Sequence, residues 1–155
     1  MLGGIFVSCN ITKNNNDNTE VLLAQWQTCV EMANCISQRR DSMNNIFVTL
    51  NLAIVAAVSF TLDIKSILLL IAGIAVCSIW IRSINNYKIL NAEKFNVINA
   101  IEKNLPVAPF NDEWDKLKSN IKYKDSTKLE KTLPKMFIIL YVCTMVTFVL
   151  VKFII

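Results

Sequence analysis

The chain has 155 residues, of which 54% are hydrophobic and 18% are charged, with a formal net charge of +4 and no histidine. Because charged residues usually make up about a quarter of a soluble domain, this composition argues against such a domain and favours burial of apolar blocks in lipid. The five cysteines form no C-x-x-C pair, so free thiols are expected rather than a zinc site or a disulfide framework.

The N-terminal region divides into a tail and a helix. Residues 1–18 end in an asparagine-rich stretch and are predicted to be a disordered tail. The apolar stretch within them is too short for a signal peptide. Residues 19–44 are predicted to form a cytoplasmic amphipathic helix, ended by Arg39 and Arg40, because apolar residues recur at spacings of three and four. This stripe consists of Leu22, Trp26, Cys29, Val30, Ala33 and Ile36.

Residues 45–84 contain two apolar blocks joined by a short polar turn. Each block is roughly 18 residues long, close to the ~20 needed to cross the hydrocarbon of a bilayer. A transmembrane hairpin is therefore predicted, with a helical hairpin in a soluble core as the alternative. Small residues one turn apart, Ala53 with Ala57 and Gly73 with Cys77, would let the two helices approach closely.

The last apolar block covers residues 134–155 and is predicted to be a third transmembrane helix. At ~1.5 Å per residue it would be about 33 Å long. All but two of the sixteen lysines and arginines, Lys65 and Lys152, lie on one side of the predicted spans. The positive-inside rule makes that side cytoplasmic, with the N-terminus inside and the C-terminus outside.

Residues 85–133 are predicted to form a cytoplasmic stalk with short helices. No helix breaker occurs between Ser66 and Leu105, so the second span should continue into the cytosol as one helix ending at Leu105. Its apolar stripe needs cover, and copies of the same chain are expected to supply it, with the 19–41 helix as the alternative. The predicted contact residues are Phe95, Ile98, Ile101 and Leu105.

Two short helices are expected after Pro106 and Pro109, which end the stalk. Asn111 is the predicted N-cap of the first, and Thr127 and Glu130 have the spacing of a capping box for the second. The lysines from position 116 to 135 would attract anionic lipid headgroups, although a solvated surface explains them equally well.

Enzyme and nucleic-acid motifs are missing from the sequence. No phosphate-binding loop, G-x-S-x-G or H-E-x-x-H motif is present, and the chain has three glycines. The basic stretch lacks interleaved aromatic residues. We therefore expect neither an enzyme nor a nucleic-acid partner, and no cofactor or metal.

The middle of the chain carries a resemblance. "WIRSINNYKILNAEKFNVINAIEKNLPVAPFNDEW", with "ISQRR" before it and "LEKTLPKMF" after it, resembles the RipA family of small octameric bacterial inner-membrane proteins. The likeness covers about residues 20 to 140. The residues of the family pattern used below are Arg40, Trp80, Arg82, Tyr87, Asn91, Glu102 and Trp114.

This resemblance implies a homo-octamer in the bacterial cytoplasmic membrane, with a role in stress adaptation or growth inside a host. It implies no catalytic site. More distantly, a two-span hairpin with flanking cytoplasmic helices is similar to the SLATT effector domains of bacterial conflict systems, which are thought to form pores.

Two functions follow for this all-α integral membrane protein. The first is a pore-like ring in stress, defence or host adaptation, and Asn51 is its candidate pore residue because it is a polar group in mid-span. Interhelical hydrogen bonding is the alternative role of Asn51. The second function is a non-conducting scaffold, whose exposed segment 111–132 would dock a cytoplasmic protein.

Overall fold

The computed structural model describes residues 15–61 and 66–154. The first fourteen residues of the predicted tail, and the turn of the hairpin, lie outside the described residues. Within the described part all regular structure is helical, which confirms the all-α prediction. The helices are α1 (Asn15–Thr61), α2 (Ser66–Glu102), α3 (Pro109–Ser119), α4 (Ser126–Glu130) and α5 (Thr132–Ile154).

Helix α1 is continuous over 47 residues, about 70 Å at 1.5 Å per residue. Residues 15–18, which the sequence analysis assigned to the tail, form its first turn, where asparagine and aspartate are favoured. The helix does not break at residue 44, where the amphipathic helix was expected to end. Residues 15–61 contain no proline or glycine, so nothing in the sequence interrupts the backbone hydrogen bonds between the amphipathic part and the apolar part.

Helix α2 runs without a break over 37 residues and ends three residues before the expected end at Leu105. The chain leaves the helix in turns, with the amides of Asn104 and Leu105 bonded to the carbonyls three residues earlier. Pro106 explains the early end, because a proline disfavours the helical conformation of the residue before it.

Helices α1 and α2 form an antiparallel hairpin along their whole length. Side-chain hydrogen bonds join Trp26 to Glu102 at one end, Asn44 to Trp80 in the middle and Asn51 to Cys77 nearer the turn. On α2 the buried residues recur at positions 70, 77, 84 and 98, multiples of seven apart, as expected of a helix that keeps one side on a neighbouring helix. Helix α2 also packs against α3, α4 and α5, so it is the central element.

Among residues 15–61 and 66–154, three stretches of helix are long and apolar enough to span a membrane, one each in α1 and α2 and one formed by Ser126–Val151. We call residues 45–61, 66–84 and 134–151 the apolar half of the molecule, and residues 15–44 and 85–131 the polar half. In the apolar half Val58, Leu70, Cys77 and Tyr141 form a core where α1, α2 and α5 meet.

Candidate functional site

Asn51 lies at the centre of the apolar half and is fully buried. Its amide nitrogen donates to the carbonyl of Phe47 at 2.8 Å. Its side-chain oxygen accepts from the Cys77 thiol at 3.0 Å and from the Tyr141 hydroxyl at 2.9 Å. Asn51 therefore joins α1, α2 and α5 in the interior of a single chain. Of the two roles considered for Asn51, its burial and partners in the single chain favour interhelical hydrogen bonding over lining a pore.

Tyr141 reaches Asn51 because Gly73 leaves room for its ring. A Cβ atom added at Gly73 would lie 2.6 Å from Cε2 of Tyr141, closer than real Cβ contacts. The small pair Gly73 and Cys77 thus serves two neighbours, Tyr141 of α5 and Asn51 of α1, rather than close approach within the hairpin alone. Ala53 of the other small pair faces outward, whereas Ala57 is half-buried.

A second cluster lies at the border between the two halves. The indole of Trp80 is buried, donates to the side-chain oxygen of Asn44 at 2.8 Å and stacks on Phe47 with ring centroids 5.6 Å apart. The Asn44 amide and the Arg40 guanidinium both reach Oε2 of Glu130, at 3.4 and 2.8 Å. Because Glu130 ends α4, this border cluster fixes the chain that leads into α5.

Helix α4 forms where a short helix was expected, but its cap differs. Glu130 is held by Arg40, so the predicted capping box with Thr127 is wrong. The N-cap is Asp125, whose carboxylate accepts from the backbone amide of Thr127 at 2.9 Å. Asp125 also pairs with Lys88 of α2 at 2.7 Å. The hydrogen bond from Lys88, followed by that from the Thr127 amide, lowers the pKa of Asp125 to about 2.

A third cluster surrounds Glu102 at the far end of the polar half. The carboxylate is fully buried and accepts hydrogen bonds at 3.2 Å from the Trp26 indole and from the backbone amides of Phe110 and Asn111. Helix α3 begins with Pro109 after Ala108, which supplies no side-chain cap. Glu102 therefore satisfies donors at the start of α3, where the helix dipole favours negative charge. Asn111 is the third residue of this helix and not the predicted N-cap.

The stripe on α2 is partly covered within the chain, at Ile98 and Phe95, while Ile101 borders a groove. Ile98 is fully buried, the Phe95 ring packs edge-on against Phe110 of α3 at 5.6 Å, and Ile101 lines a groove beside α1. The prediction that this stripe contacts other subunits is therefore wrong for Ile98. Leu105 is half-buried in the turn after α2. Sequence reasoning missed the aromatic residues of α1 and α3 that pack near this stripe. Trp26 and Phe110 also pack on each other, with ring centroids 5.7 Å apart.

The remaining residues of the family pattern lie in different settings. Arg82 is exposed and Tyr87 half-buried. Asn91 continues the buried series of α2, and its side-chain oxygen is buried without a hydrogen-bond partner. Trp114 is partly exposed, meets Tyr123 edge-on and lies under the Lys118 ammonium at 5.3 Å. The structure thus places Arg40, Trp80 and Glu102 in buried clusters but does not unite the pattern at one site.

The three clusters share one chemical property: their polar atoms are used in joining helices. Asn51 and Glu102 each accept hydrogen bonds from two other helices, and Glu130 accepts two from α1. Buried groups whose partners are satisfied fix one arrangement of helices. The candidate functional surface must therefore be sought on the outside of this framework.

The comparisons with known proteins agree with this description. The model of the octameric membrane protein family (8xMP) matches residues 23–151, most of the chain. No curated protein and no solved structure matches significantly. The matched range contains all three clusters and the three helices that are able to span a membrane.

Proposed function

The chain belongs to the octameric membrane protein family, and from that premise we propose that eight copies form a ring whose α1 helices line a pore. Membership implies self-association in a membrane. The proposed membrane is the bacterial cytoplasmic membrane with the N-terminus inside, supported by the distribution of lysines and arginines in the sequence. A role in stress, defence or host adaptation belongs to the same proposal and is supported by the RipA-like pattern alone.

The outward face of α1 in the apolar half is the observation that supports the proposed pore. Asn45, Thr49, Ala56 and Ser59 are all exposed at spacings of four, seven and three, so they share one face. Thr49 precedes the buried Asn51 by two residues, which places it on the opposite side of α1, since each residue turns the helix by about 100°. The small and polar face therefore points away from α2 and α5.

The outward face of α5 has the opposite character. Its exposed residues include Ile139, Val142, Val146 and Val149, which suit contact with lipid. On α1 the hydroxyls of Thr49 and Ser59 are bonded to carbonyls four residues earlier at 2.9 Å and keep lone pairs for water. Because small and hydroxyl residues have no advantage against lipid chains, a water-filled axis explains the α1 face.

Leu52 interrupts this face halfway along. It is exposed, three residues after Thr49 and four before Ala56. A ring of leucines between polar rings forms a hydrophobic constriction, which closes a narrow pore by excluding water. We propose Leu52 as the gate in place of Asn51.

Ion flux from liposomes that contain the purified octamer tests this function. Leu52→Asn should wet the constriction and raise flux about tenfold, equivalent to lowering the barrier by ~1.4 kcal/mol. Leu140→Asn is the matched control, because Leu140 is exposed on α5, and it should leave flux unchanged. If both Leu52→Asn and the unaltered chain stay octameric without conducting, the pore is ruled out and the α1 face packs helices together.

A scaffold is the second candidate function. The segment 111–132 exposes Trp114, Ile121 and Tyr123 among lysines, a surface able to dock a cytoplasmic protein. Two results together would favour the scaffold. The octamer would carry no current, and added cytosol would protect this segment from protease. Lys128 and Lys135 are exposed beside the start of α5, and we propose that they attract anionic headgroups in either case.

A further inference from the structure

The hairpin of the polar half is covered on one side only. On that side Phe110 of α3 packs against Trp26 of α1 and Phe95 of α2. Val97 follows Phe95 by two residues and therefore points to the other side of α2, since each residue turns the helix by about 100°. Val97 is half exposed, and Phe95 and Lys88, which contact α3 and Asp125, lie on the opposite side of α2.

Several large apolar side chains accompany Val97. Leu90 and Ile101 lie seven residues before it and four after it, on the same face of α2. Ile101 and Val21 of α1 line one groove between the two helices. Met32 lies eleven residues after Val21, three turns along the same face of α1. We call this surface the open face: Val21, Met32, Leu90, Val97 and Ile101, all exposed except the half-buried Ile101.

The open face lies too far along the helices for lipid to cover it. Leu90 comes six residues after Ile84, the end of the apolar half, about 9 Å along the helix, and Val97 and Ile101 lie farther out. A contiguous apolar surface in water marks a protein contact. Because the chain belongs to a family of octamers, the economical occupant is a second copy.

The same molecule carries a second apolar surface on its other side. The stretch of residues 107–125, here called the arm, runs back along α2 from Glu102 to Lys88 on the Phe110 side. It exposes Val107, Trp114, Ile121 and Tyr123, and Ile121 is completely exposed. A ring with rotational symmetry needs two different surfaces on each subunit, one to meet each neighbour. The open face and the arm lie on opposite sides of one hairpin, as such a ring requires.

The heights of the two surfaces also agree. Subunits of a ring in a membrane are related by rotation about the membrane normal, so surfaces that meet must lie at one level. The arm is tied near its start to Glu102 through Phe110 and at its end to Lys88 through Asp125. Val97 lies between Lys88 and Glu102 on α2. The arm of one subunit therefore passes at the level of the neighbour's Val97.

Charge supports this pairing. Residues 15–38 of α1 carry Asp17, Glu20 and Glu31 and no lysine or arginine. In the arm the first part carries Asp112, Glu113 and Asp115, whereas residues 116–124 carry four lysines and no acidic residue, so the attraction falls on this second part. The ion pairs among the described side chains, Arg40–Glu130 and Lys88–Asp125, involve neither Glu20 and Glu31 nor these four lysines. Opposite charges on surfaces that meet favour the correct neighbour.

We propose that the open face of each subunit receives the arm of its neighbour, with Ile121 and Trp114 packing on Val97 and Leu90. This contact rests on the octameric assembly of the proposed function and not on its conduction. It assigns the arm to a second copy of the chain rather than to a cytoplasmic protein.

Disulfide formation between co-expressed subunits tests the contact. One copy carries Val97→Cys, and a second, differently tagged copy carries Ile121→Cys, Trp114→Cys or Tyr123→Cys. Mild oxidation should link copies of the two kinds in at least one pairing, because disulfides need Cα atoms within about 7 Å. The copies expressed singly, which retain the natural cysteines, give the baseline. Dimers formed by Val97→Cys alone would show that two open faces meet, which contradicts the proposal. The absence of a link in every pairing, in an intact octamer, would also overturn it.

A charge on the open face provides the second measurement. Val97→Asp should reduce the octamer to smaller species in detergent while the helical content is unchanged. Asn96→Asp is the matched control, since it adds the same charge at an exposed neighbouring position on another side of α2, and it should stay octameric. An octameric Val97→Asp protein would refute the contact and leave the pore standing. If the unaltered chain is itself not octameric, the proposed function fails together with this contact.

Discussion

The apolar and polar halves of the hairpin each contain a fully buried polar side chain that joins helices, Asn51 and Glu102, but the two groups differ in charge. Asn51 is neutral and accepts from a thiol and a phenol. Glu102 is an acid that accepts from an indole and two backbone amides. In lipid a charge would need compensation that no nearby cation provides, whereas at the start of α3 the helix dipole supplies it. Each half thus uses a buried hydrogen-bond acceptor whose charge suits its surroundings.

Removing the acid should have the larger effect. Glu102→Ala leaves three donors without an acceptor, and hydrogen bonds to charged groups contribute about 1.5–3 kcal/mol each, so we expect a loss of about 3 kcal/mol. The start of α3 should detach from the hairpin, seen as faster proteolysis near residue 110 and a red shift of Trp26 fluorescence. Glu113→Ala is the control, because Glu113 is exposed on α3. Equal effects of the two changes would contradict the role of Glu102.

Removing the amide should cost less, although it is equally buried. Asn51→Leu is expected to destabilise the apolar half by about 1 kcal/mol, since interhelical hydrogen bonds in membranes are weak when the unfolded chain also finds partners. Thermal unfolding in detergent measures this change. Thr147→Val serves as the control, because its hydroxyl bonds to its own helix. A loss exceeding that of Glu102→Ala would reverse the comparison between the two halves.

The exposed ion pair of the polar half should contribute least. The lowered pKa of Asp125 means that its contribution is present above the usual pKa near 3.8 and is lost as the pH falls toward about 2. Asp125→Asn keeps a good N-cap and removes only the pair with Lys88, worth about 0.5 kcal/mol at a surface. Between about pH 4 and 2, the free energy of unfolding should decrease less for the variant than for the unaltered chain. An unchanged pH profile would show that the pair contributes nothing.

Local patterns in the sequence were sufficient for the helices and for the apolar stretches. Block length and hydropathy depend on neighbouring residues, and they predicted an all-α protein with three stretches able to span a membrane. The clusters depend on residues far apart in the chain. Trp26 and Glu102 are separated by 76 positions, and periodicity alone does not reveal such a pair.

The wrong predictions have the same origin. Ile98 was assigned to subunit contacts because the sequence does not show whether α1 or another copy of the chain buries it. Glu130 was assigned to a capping box because the competing Arg40 lies ninety positions away. For Asn51, polarity alone left a pore residue and an interhelical hydrogen bond as two alternatives. A tyrosine at position 141, within an apolar block, was the available signal for a partner, since a phenol in lipid needs an acceptor.

The continuity of α1 has a mechanical consequence. A helix of 47 residues without proline or glycine has no hinge at the border between the two halves. It acts as a lever whose arms are the amphipathic part and the membrane part. A tilt of about 0.1 radian about one end displaces the other end of a ~70 Å rod by about 7 Å, roughly the width of a side chain. Force applied near Trp26 is therefore transmitted to Leu52 without any local unfolding.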